Sequence, residues 1–122
     1  MSDAKTELER VRAAFRGSAC AVITEAELGE LCSRLLAAAA LPYRSEVCLG
    51  SPRDRIDFVV GRVGVELKID GSPAAVLRQL DRYAASDEID SLLLVTTRRS
   101  LARGLPSDLR GKPVSSVAMG AM

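Results

Sequence analysis

The stretch 55–68, Arg-Ile-Asp-Phe-Val-Val-Gly-Arg-Val-Gly-Val-Glu-Leu-Lys, limits what this chain can fold into more than any other feature. Two short runs rich in Val, Ile and Leu flank Gly61-Arg62. β-Branched residues suit strands, and a two-residue break with Gly at its first central position suits a tight hairpin turn. With that turn, Val60 faces Val63, and counting back sets Asp57 opposite Glu66 and Arg55 opposite Lys68. Strand side chains alternate between faces. Ile56, Phe58, Val60, Val63, Val65 and Leu67 are therefore expected on one core face. Asp57, Glu66 and Lys68 are expected together on the other, with Val59 and with Gly64, which would leave room for a ligand to approach the backbone.

Carboxylates directly opposite one another on neighbouring strands repel. A divalent cation between them turns that repulsion into binding, and hard ions such as Mg²⁺ prefer carboxylate oxygens. A lysine on the same face can orient or deprotonate a water and neutralise charge on a phosphate. The plainer reading of such residues is a solvated strand face. It serves any one of them well, but it explains less easily their coincidence in register among aliphatic runs.

The remainder of the chain alternates helical and extended patterns. Residues 4–16 read as a helix broken by Gly17-Ser18. Thr24 followed by Glu27 forms a capping box, and a helix is predicted over about 25–40, with Leu28, Leu31, Cys32, Leu35, Leu36 and Ala39 on one side. Strands follow at 43–49, 55–60 and 63–69. Ser72-Pro73 opens a helix to about 85. Residues 91–97 form a continuous apolar strand of the buried type, 98–113 a basic connection with room for a helical turn, and 114–119 a weaker last strand. The order ααβββαβ, with a final β, predicts an α/β layered fold around a mixed sheet. At 122 residues the chain suits one domain, 1–122, with 1–23 as a helical extension, 24–97 as the core and 98–122 as a connection and edge strand.

Composition narrows the chemistry. The chain contains no histidine, which excludes Ser–His and Cys–His catalysis and histidine metal sites. Hydrolysis must therefore run on carboxylates, Lys, Tyr or a metal held by oxygen. The three cysteines Cys20, Cys32 and Cys48 form no CxxC pair, so neither a disulfide framework nor a zinc site is indicated. Their mostly apolar neighbours predict buried, reduced thiols, which fits a cytoplasmic protein. Residues 1–23 lack the apolar run of a signal peptide, and no stretch is long enough for a membrane span. The net charge of +1 requires any basic surface to be local.

The stretch 55–68 resembles the core motif of the PD-(D/E)XK nuclease superfamily, with Asp57 in one strand and Glu66-Leu67-Lys68 in the next; Arg55-Ile56 stand where the named proline would precede the Asp. The resemblance covers about residues 24–97. It implies a restriction-endonuclease-like αβββαβ core, a central mixed sheet flanked by helices, and metal-dependent hydrolysis of DNA phosphodiesters. It further implies Mg²⁺ or Mn²⁺ held by Asp57, Glu66 and the Leu67 carbonyl, with Lys68 positioning the attacking water. Gln79 and Tyr83, four apart on the following helix, resemble the QxxxY element of RecB-type branches and would lie near the site and the DNA. Against that, the same helix reads as ordinarily amphipathic with Val76, Leu77 and Leu80 buried. Many members carry an acid on the helix before the first strand. Glu25 is chosen for that place, with Glu46 competing, Glu27 spent on the capping box and Glu30 expected to face solvent. Arg55, Arg78, Arg82 and Tyr83 are the expected nucleic-acid contacts. Small members work as dimers resembling junction-resolving enzymes or as parts of phage or repair machinery. The reading weighed against all this is a non-catalytic DNA-binding or interaction module that keeps the fold.

Overall fold

The computed structural model describes residues 3–21 and 24–121. Its elements are α1 (Ala4–Ala13), β1 (Ala19–Cys20), α2 (Glu25–Ala38), β2 (Arg44–Cys48), β3 (Arg55–Val60), β4 (Val63–Lys68), α3 (Pro73–Ala84), β5 (Ser91–Thr96), α4 (Arg99–Arg103), β6 (Asp108–Leu109), β7 (Lys112–Ala118) and β8 (Gly120–Ala121). The helix starts are the ones the side chains encode. The Thr24 side chain accepts from the Glu27 backbone while the Glu27 side chain accepts from the Thr24 backbone. Ser72 caps α3, with Pro73 opening it.

Six strands form one mixed sheet in the order β2-β3-β4-β5-β7-β6. The β2-β3 and β3-β4 pairs are antiparallel, whereas β4, β5 and β7 run parallel. Parallel neighbours need crossovers, and α3 and α4 supply them. Both crossovers move the same way across the sheet, so the right-handed rule sets both helices on one face. There Val76, Leu80, Tyr83, Ala84 and Leu101 pack against Ile56, Val59, Leu92, Leu94 and Val114. On the opposite face Leu8, Val11 and Phe15 from the N-terminal segment join Leu28, Cys32 and Leu36 of α2 over Phe58, Val60, Val63, Val65, Leu67, Leu93, Val95 and Val117. β5, buried at every position, is covered on both sides. The result is an α/β fold with a six-stranded mixed sheet flanked by helices.

Three local outcomes differ from the sequence reading. The segment 1–23 was set apart as an extension, yet α1 is a packed layer of the domain, and Arg12 Nε donates to the Ser116 carbonyl of β7 at 2.8 Å. Cys32 is buried as expected, but Cys48 is exposed on the edge strand β2; the Cys20 side chain and residues 1, 2, 22, 23 and 122 lie outside the described residues. Ile56 was placed on the same face as Phe58, but it packs on the α3 side. The reason lies between them. The β2-β3 ladder pairs Ser45 with Phe58 and Val47 with Ile56, but Glu46 and Asp57 are not paired, and Glu46 has φ +50. A non-glycine residue there is strained, and alternation slips at that point.

Among the described residues, no helix is long and apolar enough to cross a membrane.

Candidate active site

The β3-β4 hairpin has the expected two-residue turn, with Gly61 at φ +61. Its ladder pairs Val60 with Val63, Val59 with Gly64 and Phe58 with Val65, then stops. Continued antiparallel bonding would give the Leu67 N–H to the Ile56 carbonyl. Instead the Leu67 N–H donates to Asp57 Oδ2 at 2.8 Å. The carboxylate thus takes a backbone donor at the point where the strand ladder ends.

Glu66 projects to the α3 side, next to Asp57, which itself lines the α2-side cavity, and Glu66 is 3% exposed. The Tyr83 hydroxyl, on α3, lies 3.3 Å from Glu66 Oε2 and 3.0 Å from the Arg55 carbonyl, and accepts from Gln79 Nε2 at 2.8 Å. With one proton to give, that hydroxyl serves either the carbonyl or the carboxylate at any moment. Lys68 Nζ stands 3.6 Å from Glu66 Oε2, its side chain 23% exposed. Glu66 Oε1 is buried and has no hydrogen-bond partner among the described residues.

An unpaired carboxylate oxygen in the interior is costly. Burial, and then the Asp57 charge, push Glu66 up from its ordinary 4.5 to about 9, with Lys68 pulling the other way. At neutral pH, Glu66 therefore holds a proton. Burial and the two carboxylates push the Tyr83 hydroxyl upward as well, so it remains a donor.

The acidic residues upstream gather on the other side of β3. Glu25, Glu30 and Glu46 line an open cavity of about 380 Å³ together with Asp57, Phe58 and Leu67. Glu25 Oε1 accepts from the Ile69 N–H at 3.4 Å, one residue beyond Lys68. The Leu67 side chain packs into the α2-side core, so the site receives its backbone alone.

Tyr83 was expected to touch nucleic acid, but it is 0% exposed and instead tethers Glu66 and the Arg55 backbone. Gly64 was expected to open space for a ligand. A Cβ at that position would meet Ile56 Cδ1 at 2.8 Å, Leu92 Cδ2 at 3.1 Å and Ile89 Cδ1 at 3.2 Å, so the space is already filled by core. Gln79, chosen as a site residue, reaches Glu66 only through Tyr83. Arg55 and Arg78 are exposed, while Arg82 Nε is held by Asp54 Oδ1 at 3.0 Å. Arg53, which is not among the expected contacts, shares a notch with Arg82; only its place in a turn next to the second strand points toward it.

Among the described residues, no three acidic or thiol side chains converge as a ready-made metal cage. The fit to a hard cation rests on less: Asp57, Glu66 with its orphaned Oε1, and the Leu67 backbone. Mg²⁺ usually keeps several waters and takes one or two carboxylates, so this donor set suits it. Comparison of the chain with protein families, curated proteins and solved structures finds no match.

Proposed function

We propose that this chain is a metal-dependent nuclease with a PD-(D/E)XK-like core, hydrolysing DNA phosphodiesters at the open end of the β3-β4 hairpin. The observation that carries the reading is Glu66: a nearly fully buried carboxyl, next to a second carboxylate and a lysine, with one oxygen left without a hydrogen-bond partner among the described residues. A core glutamate kept for packing alone would be replaced at little cost by an apolar residue. A glutamate poised for a cation has a reason to stay.

In this reading Asp57, Glu66 and the Leu67 carbonyl would hold Mg²⁺ or Mn²⁺. The ion, when bound, supplies an acidified water and neutralises charge on the phosphate oxygens. The chain's own groups do the rest. Lys68 Nζ donates to the attacking water or to a non-bridging phosphate oxygen, which stabilises charge that develops in the transition state. Tyr83, fixed by Gln79, holds the Glu66 carboxyl in place from the α3 side. Glu25, whose carboxylate accepts from the Ile69 N–H just past Lys68, lines the α2-side cavity with Asp57.

The test is cleavage of labelled linear, single-stranded and four-way-junction DNA with Mg²⁺ or Mn²⁺. Native protein should cut at least one form, and Glu66→Ala or Lys68→Ala should lower the rate by about 10²–10³ or more. Folded variants that cut as well as native protein would remove the proposal.

A further inference from the structure

Two cavities flank β3, and their linings differ in charge. On the α2 side the lining is acidic, with Glu25, Glu30, Glu46 and Asp57 around one opening. On the α3 side, a notch of about 290 Å³ between the β2-β3 turn and α3 is lined by Ser51, Arg53, Asp54 and Arg82. Arg82 holds Asp54, yet 52% of its side chain remains exposed. Arg78 lies one turn before it, on the same face of α3. Arg53 and Arg78 are exposed, and neither has an ion pair among the described residues.

The notch adjoins the candidate site. Tyr83 follows Arg82 in α3, and its hydroxyl lies between the Arg55 carbonyl and Glu66. Asp54, at the notch, and Asp57, at the site, are three residues apart on β3 and its approach. With a net charge of only +1, the molecule has no general attraction for a polyanion. Attraction must come from this local set of arginines, and the acidic wall opposes any phosphate placed over α2.

We infer that the phosphate chain of the substrate crosses the site on the α3 side, gripped by Arg53, Arg78 and Arg82, with the acidic α2 side left clear. The inference rests on the nuclease reading and names the surface that reading needs. Such contacts fix the position of a strand and read no sequence.

The test uses the full chain carrying Lys68→Ala, so that the probe stays whole, and a fluorescein-labelled single-stranded deoxyoligonucleotide followed by anisotropy across a salt series with Mg²⁺. Arg53→Glu and Arg78→Glu should each weaken binding about tenfold and lower the slope of log affinity against log salt by about 0.7 or more. Arg10→Glu, on α1, should leave binding within about twofold. Glu30→Gln should strengthen it. Equal losses from Arg10→Glu and Arg78→Glu, or weaker binding from Glu30→Gln, would overturn the inference. The two proposals fail separately. A native chain that binds in this pattern but never cuts loses the nuclease reading. One that cuts, while its Arg53→Glu and Arg78→Glu forms bind and cut like native protein, loses the arginine surface.

Discussion

At its turn the β3-β4 hairpin is closed: Val60 pairs with Val63, Val59 with Gly64, and the space above Gly64 is filled by Ile56, Leu92 and Ile89. At its other end the ladder stops, a carboxylate replaces a carbonyl as acceptor, and a second carboxyl is buried with one oxygen that has no hydrogen-bond partner among the described residues. The same two strands thus contain a region optimised for packing and a region that violates packing rules. Such violations are where function is expected, since a sequence retains a local conflict only when something else depends on it.

The contrast can be broken from the closed end first. Gly64→Val should overfill the Ile56-Leu92-Ile89 contact and destabilise the fold by about 3 kcal/mol, read from urea melts, while any protein that remains folded keeps its cleavage rate per folded molecule. A destabilisation confined to a few tenths would mean that the closed end is less tightly packed than the distances imply.

The open end should respond to pH. Because Glu66 is raised to about 9 when folded, the native state keeps a proton that the unfolded chain releases near 4.5. The unfolded state then binds fewer protons, so metal-free stability should fall as pH rises through that window. Glu66→Gln cannot titrate and should flatten the profile. A native profile already flat between pH 5 and 9 would contradict the buried-carboxyl account. At the same end, Tyr83→Phe leaves Gln79 and the Arg55 carbonyl short of a partner, costing about 1–3 kcal/mol. Unlike Gly64→Val, it should also lower cleavage, because the support of Glu66 is lost. The smallest effect belongs to a region outside the contrast: Thr24→Ala should cost about 1 kcal/mol by removing the α2 cap, with the metal response unchanged.

Much of this was legible because the rules involved are local. The Thr24–Glu27 box, Ser72-Pro73 and the Gly61-Arg62 turn announce their elements within four residues, and the apolar run at 91–97 foretells the buried β5. The face assignment failed at Ile56, which packs on the α3 side, and at Asp57, which lines the α2-side cavity, since strict alternation assumes a regular strand and nothing in the letters reveals that Glu46 adopts positive φ opposite Asp57. The exposure of Cys48 follows from β2 being an edge strand, a fact of sheet order rather than of composition. For the site, Asp57, Glu66 and Lys68 could be grouped by counting from the turn. The burial of Tyr83 could not, because its hydroxyl finds partners 17 and 28 residues away. Gly64 was misread for a related reason. The residues that fill its space come from β3, β5 and the loop before β5, and only the folded sheet brings them together.

The most direct test of the central claim, that the open end is built for a cation at the expense of stability, is Mn²⁺ titration calorimetry on native protein and Glu66→Gln, with metal-free urea melts of both at pH 8. The account predicts that native protein binds Mn²⁺, more tightly as pH rises because binding displaces the Glu66 proton. It also predicts that Glu66→Gln loses that binding while becoming the more stable of the two without metal. Mn²⁺ binding unchanged in Glu66→Gln, or no binding by native protein, would contradict it.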